Sequence, residues 1–172
     1  MASTLVPTTR GPCFRELASR GRWNRGIVAA MTHKAPAGTS LDRVVIVGAS
    51  LAGLRAAETF RQHPGVGSVI VVGDEPHRPY DRPPLSKKLL SGEWEPDRIH
   101  LRQPEIFDEL DVEWVLDTAA GGLDLEARAV RLDDGSALAF DGLVIATGAT
   151  PRRLPGQEDF AHVHELRSLD DA

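Results

Sequence analysis

Gly48, Ser50 and Gly53 in the stretch VVIVGASLAGLRAAE stand at the spacing G-x-G-x-x-G, with serine in the middle position. A strand that runs into a helix through such a turn aims free backbone N–H groups and the positive helix end at an anion. Gly48 permits the tight turn, and Gly53 lets the helix pack closely on the strand. Ser50 departs from the glycine that brings backbone close to phosphate, but serine is small and its hydroxyl can donate a hydrogen bond there. Slightly more than the usual ~20 residues further on, VVGDE offers Asp74 and Glu75, acids suited to holding ribose hydroxyls. An acid at this point favours an unphosphorylated ribose. Together these residues describe dinucleotide binding. A plain glycine turn in an α/β domain is the simpler alternative, and a methyltransferase loop accounts for the first motif but not for the second half of the chain.

The elements that must position these residues follow from the local patterns. RVVIVG and SVIVVG are continuous β-branched runs, as expected of strands buried on both faces of a parallel sheet. Between them ASLAGLRAAETFRQH reads as a helix, ended by Pro64-Gly65. Strand, helix and strand within some thirty residues make a βαβ unit. Beyond it, QPEIFDEL carries a weaker helical pattern. VEWVL, ARAVRLDDG and ALAFDG read as a small antiparallel meander with a turn at Asp134-Gly135. LVIATG closes the series as another apolar strand. The expected fold is therefore α/β, Rossmann-like, with a parallel sheet and an antiparallel insertion.

The chain has 172 residues and a net charge of −5, unevenly spread. Residues 1–40 hold Arg10, Arg15, Arg20, Arg22, Arg25 and Lys34 against Glu16, whereas the remainder is strongly acidic. An acidic body argues against nucleic acid as the partner, because phosphate contacts need a basic face. The basic arm has three readings: an organelle transit peptide, a partner-binding arm, or a disordered extension ahead of a start at Met31. No apolar run approaches the roughly 18 residues of a membrane span. The single cysteine, Cys13, excludes a disulfide framework, a cysteine zinc cluster and a CxxC pair, and points to a reducing cytoplasm. The histidines have no metal-ligand spacing, and His162 and His164 read as surface residues.

One segment looks overbuilt for a surface loop. RPYDRPPLSKKLLSGEW carries prolines at 79, 83 and 84 and the only tyrosine of the chain, then turns into the helix-like LSKKLL. Fused prolines fix backbone dihedrals before any ligand arrives, so less entropy is lost on ordering. With VVIVGASLAG before it and LVIATGATPRRLPG after it, this segment resembles the flavin-binding half of the ferredoxin/rubredoxin reductase family, FAD-dependent NAD(P)H oxidoreductases. The resemblance covers about residues 43–172, and its most specific part is PYDRPPLSK.

The resemblance implies that Gly48, Ala49, Ser50, Leu51, Ala52 and Gly53 hold the FAD pyrophosphate and that Asp74 or Glu75 holds the adenosine ribose. It implies that Arg82 reaches the phosphate region and that Lys87 lies beside the isoalloxazine as the catalytic cation. Ala120 would contact the adenine side through its backbone, and Ala146, Thr147 and Gly148 would form a second flavin-contacting turn. Electrons would pass from NAD(P)H through FAD to an iron–sulfur ferredoxin or rubredoxin. No cysteine pair stands beside the flavin position, so attack by an enzyme thiol is not expected. Relatives continue into a nicotinamide-binding domain and a third domain, and no second glycine fingerprint follows Gly148. Residues 41–172 are therefore expected to be a partial FAD-binding domain that binds FAD poorly alone; the alternative is a non-catalytic nucleotide-binding fragment.

Overall fold

The computed structural model describes residues 40–156 and 160–172. The readings made for the basic extension, Cys13 and Met31 fall outside them. The first strand, β1 (Leu41–Val47), leads into helix α1 (Leu51–Gln62), which returns to β2 (Val66–Val72). Val44–Val47 and Val69–Val72 are buried along their whole length, because side chains of a strand alternate between two covered faces. Val44, Ile46, Val69 and Val71 pack with Ala57 of α1 on one face. Val45, Val47, Ile70 and Val72 pack with Val130 and Leu132 on the other. Residues of α1 bury Gly53, Leu54 and Ala57 against the sheet, one helical stripe. The helix stops at His63, and Gly65 (φ +91°) turns the chain into β2.

Beyond β2 the proline segment forms a π-helical turn, Leu85–Leu89, then a 3₁₀ turn, Pro96–Ile99. The helix expected at LSKKLL is present, wound as a π turn: Leu89 and Leu90 donate to the carbonyls of Pro84 and Leu85, five residues back, at 3.1 Å each. Tyr80, Leu85 and Ile99 make a small core of their own, against which Leu89, Trp94, Leu166 and Leu169 pack. Helix α2 (Pro104–Glu109) follows, and with it a correction. VEWVL was expected in the antiparallel meander, but β3 (Glu113–Val115) lies parallel to β2, pairing Val71 with Trp114. The crossover through α2 forces the parallel direction. Trp114 is then held by the helix-side cluster and by the Phe107 ring of α2, 5.6 Å away.

The meander instead begins one element later, with β4 (Ala120–Asp124), β5 (Ala129–Leu132) and β6 (Ala137–Ala139), all antiparallel. Gly121 and Gly122 and the register shift between Ala120 and Gly122 hide β4 from any β-propensity signal. The expected Asp134-Gly135 turn joins β5 to β6, with Gly135 at φ +87° and the Ser136 amide donating to the Asp134 carboxylate at 2.8 Å. Finally β7 (Gly142–Ile145) pairs parallel to β1, so the main sheet runs β3-β2-β1-β7 with all strands parallel. Among the described residues, no helix is long and apolar enough to cross a membrane.

Candidate functional site

In this strand order β1 continues to β2 on one side while β7 lies on the other. The carboxyl end of β1 is therefore a topological switch point, where open α/β sheets leave a crevice. Four turns meet there, held by an extended ladder: Gly48 N–H to Val72 O (2.7 Å), Gly73 N–H to Val115 O (2.9 Å) and Ala146 N–H to Val47 O (2.7 Å). Asp117 and Thr118 donate their amides to Glu75 O and Gly73 O, which fixes the turn after β3 against the turn after β2.

The glycine turn is packed to the limit. A Cβ on Gly53 would lie 1.9 Å from the carbonyl oxygen of Gly48, and one on Gly48 would lie 2.2 Å from that of Ala146. Gly48 also takes φ +117°, a left-handed value that side chains disfavour. Ser50 stands at the N-cap of α1 in extended conformation, yet its side chain makes no capping bond, and no acid occupies the first turn. The positive helix end and its free N–H groups are thus uncompensated by the protein itself. This backbone-lined turn, with a hydroxyl to spare, has the donor chemistry a diphosphate needs, although the recess in front of Ser50 holds only about 30 Å³.

Two adjoining recesses share Gly48, Gly73, Asp74 and Thr147. One, of about 120 Å³, is bounded by Val72, Thr118, Ala119 and Ala120. The other is bounded by Ala49, Ser50, Glu75, Tyr80, Arg82, Ala146 and Arg167. A roomier groove of about 510 Å³ lies between Arg61, Phe107, Asp111 and Trp114, but none of the residues singled out in the sequence lines it.

Asp74 is exposed beside both recesses. Glu75 is not free for a ribose: one carboxylate oxygen accepts from Arg82 Nη2 at 2.5 Å and the other from the Tyr80 hydroxyl. Arg82 also donates through Nη1 to the Arg167 carbonyl at 2.6 Å and lies 5.1 Å over the Tyr80 ring. Leu51 and Ala52 are exposed on the first turn of α1, outside both recesses, and Gly53 is buried behind the turn. Gly148 takes φ +70° beside the Arg167 guanidinium. Lys87 is exposed, its ammonium 3.3 Å from the Pro83 carbonyl, and it lines neither recess.

The model of the family described as pyridine nucleotide-disulphide oxidoreductase matches residues 42–172. The chain belongs to this family. Among curated members, "Probable ferredoxin reductase CtmF" of Castellaniella defragrans is 41% identical over 133 residues, covering 76% of this chain and 32% of the relative. The ferredoxin–NAD(+) reductase component of the p-cumate 2,3-dioxygenase system of Pseudomonas putida is 40% identical over 136 residues, covering 78% of this chain and 34% of the relative. Putidaredoxin reductase in its covalent complex with putidaredoxin superposes with a TM-score of 0.69 at 34% identity, covering 77% of this chain and 33% of that one. The chain thus spans about a third of the length of the pyridine nucleotide-disulphide oxidoreductases it matches.

Several members of the site escaped the sequence reading, among them Gly73, Tyr80, Thr118, Ala119 and Arg167. Tyr80 was visible as the lone tyrosine and Arg167 within RSLDD, but neither spacing nor residue type joins positions so far apart. Leu169 N–H reaches the Tyr80 oxygen across 89 positions at 2.9 Å, a contact only the fold creates.

Proposed function

We propose that residues 41–172 supply the first FAD-binding segment of a ferredoxin reductase-type flavoprotein. The observation that carries this reading is the meeting of the Gly48–Gly53 turn, Asp74 and Thr147 at the switch point, beside an uncompensated helix end. In this reading the amides of Ala49–Gly53 and the Ser50 hydroxyl hold the diphosphate. Asp74, rather than the engaged Glu75, holds the adenosine ribose. Ala119 and Ala120 bound the adenine side, and Ala146–Gly148 form the second wall. Arg82 and Arg167 border the diphosphate recess and supply positive charge to it.

FAD, when bound, supplies hydride acceptance from NAD(P)H and release of electrons to an iron–sulfur ferredoxin or rubredoxin. Lys87 would supply a cation to stabilise the negative charge that such a ring gains on reduction. Its ammonium is exposed and contacts the Pro83 carbonyl at 3.3 Å and the Ser86 hydroxyl at 3.5 Å. The redox work belongs to a polypeptide of reductase length, and the acceptor is the kind of protein the relatives' names record. The test is rapid-mixing kinetics of flavin reduction by NADH in a reductase-length protein carrying residues 41–172. Lys87→Ala is expected to slow reduction at unchanged flavin content. Unchanged kinetics removes Lys87 from the chemistry, and absence of flavin from the parent protein removes the reading itself.

A further inference from the structure

Tyr80 is the only tyrosine of the chain and is buried, its ring packed with Leu85 and Ile99. The hydroxyl has two tasks. It donates to one oxygen of Glu75 and accepts the amide hydrogen of Leu169. Glu75 holds Arg82 through its other oxygen, and Arg82 in turn donates to the backbone of Arg167. The circuit closes: Tyr80, Glu75, Arg82, Arg167, then two residues along the chain to Leu169 and back to Tyr80. Side chains of this circuit border the same recess as Ser50 and the turn after β7.

Each link constrains charge. Clamped by two donors, the Glu75 carboxylate cannot rotate toward an anion in the recess, where it would repel it. Burial, aided by Glu75, raises the Tyr80 phenol above its ordinary value of 10.0, so it remains a proton donor throughout the working range of pH. The Leu169 bond fixes the segment that carries Arg167. Asp171 adds to this fixation by accepting the amides of Arg167 (2.9 Å) and Ser168 (2.7 Å).

We propose that Tyr80 is a positioning residue for anion binding: its hydroxyl locks Glu75 and the Leu166–Leu169 segment so that Arg82 and Arg167 stay at the diphosphate recess. The inference rests on the dinucleotide reading and extends it to a residue that acts through two arginines. Its ligand chemistry is a diphosphate, so the adenosine moiety alone gains nothing from it.

The test uses the 172-residue chain and two probes, ADP and adenosine. Tyr80→Phe removes one oxygen and keeps the ring in its core. The Kd for ADP is expected to rise about tenfold, while that for adenosine changes by less than about twofold. Equal losses for both probes, or none for ADP, overturn the proposal. Weak binding is expected of the chain alone, so both probes are titrated to saturation; should ADP bind no better than adenosine there, the dinucleotide reading fails and takes this inference with it. A measurement on the unaltered chain stands independently of how the variant folds. The ¹³Cζ resonance of the lone tyrosine shifts with ADP and holds still with adenosine; no movement at saturating ADP contradicts the proposal.

Discussion

Gly53 lies where the first turn of α1 crosses back over Gly48, and a single methyl group there would meet a backbone oxygen at 1.9 Å. Backbone cannot step aside as a flexible side chain can, so Gly53→Ala is expected to cost about 3 kcal/mol, read as a lower urea midpoint. A loss below ~0.5 kcal/mol would show that the turn is looser than described. Asp74 presents the opposite case, exposed beside both recesses. Asp74→Asn is expected to leave the urea midpoint unchanged and to weaken ADP binding about tenfold, the worth of a charged hydrogen bond to a ribose. Glu75, its immediate neighbour in sequence, looked equally suited, and residue type alone could not separate them. The partners that distinguish the two, Tyr80 and Arg82, are brought to Glu75 by the return of the chain through the proline segment.

At the scale of elements, what repeats locally was legible and what depends on crossing connections was not. β1, α1, β2 and β7 follow from apolar periodicity and from the glycine turn; the first three lie within two residues of their expected places, and β7 ends three residues early, at Ile145. β3 carries the same alternating signal as a meander strand, and only the intervening α2 turns it into a parallel neighbour of β2. β4 is glycine-rich and held by cross-strand bonds, so its sequence carries almost no strand signal. The 166–171 segment is the clearest case of order from a few specific bonds. Its 3₁₀ turn, Leu169–Asp171, is closed by a capping box between Ser168 and Asp171. The Ser168 and Arg167 amides hold the Asp171 carboxyl below its ordinary value of 3.8. A carboxyl depressed in the folded state stabilises above its unfolded pKa and loses that contribution as pH falls through the folded value. Amide exchange at Arg167 and Ser168 is therefore expected to be constant above about pH 5 after correction for intrinsic rates, with protection lost in stronger acid. Asp171→Asn should remove this pH dependence; its persistence would assign the effect to another carboxyl.

Across the whole molecule, a parallel sheet with α1 on one face and a three-stranded antiparallel sheet on the other gathers four strand ends at one edge. All the turns that line the two recesses come from that edge, although they span positions 48 to 147 and are joined by the more distant Arg167. This common origin lets one sheet present the glycine turn and the exposed carboxylate of Asp74 together, with Arg82 and Arg167 brought alongside by the proline segment and the 166–171 segment. The measurement that tests it most directly is a two-dimensional amide NMR titration of the chain with FAD, read residue by residue. Saturable shifts confined to Gly48–Gly53, Gly73–Glu75, Tyr80–Arg82, Lys87, Thr118–Ala120, Ala146–Gly148 and Arg167–Leu169 are the predicted result, however weak the affinity. Shifts scattered elsewhere, or these same amides responding only to S-adenosylmethionine, would contradict it.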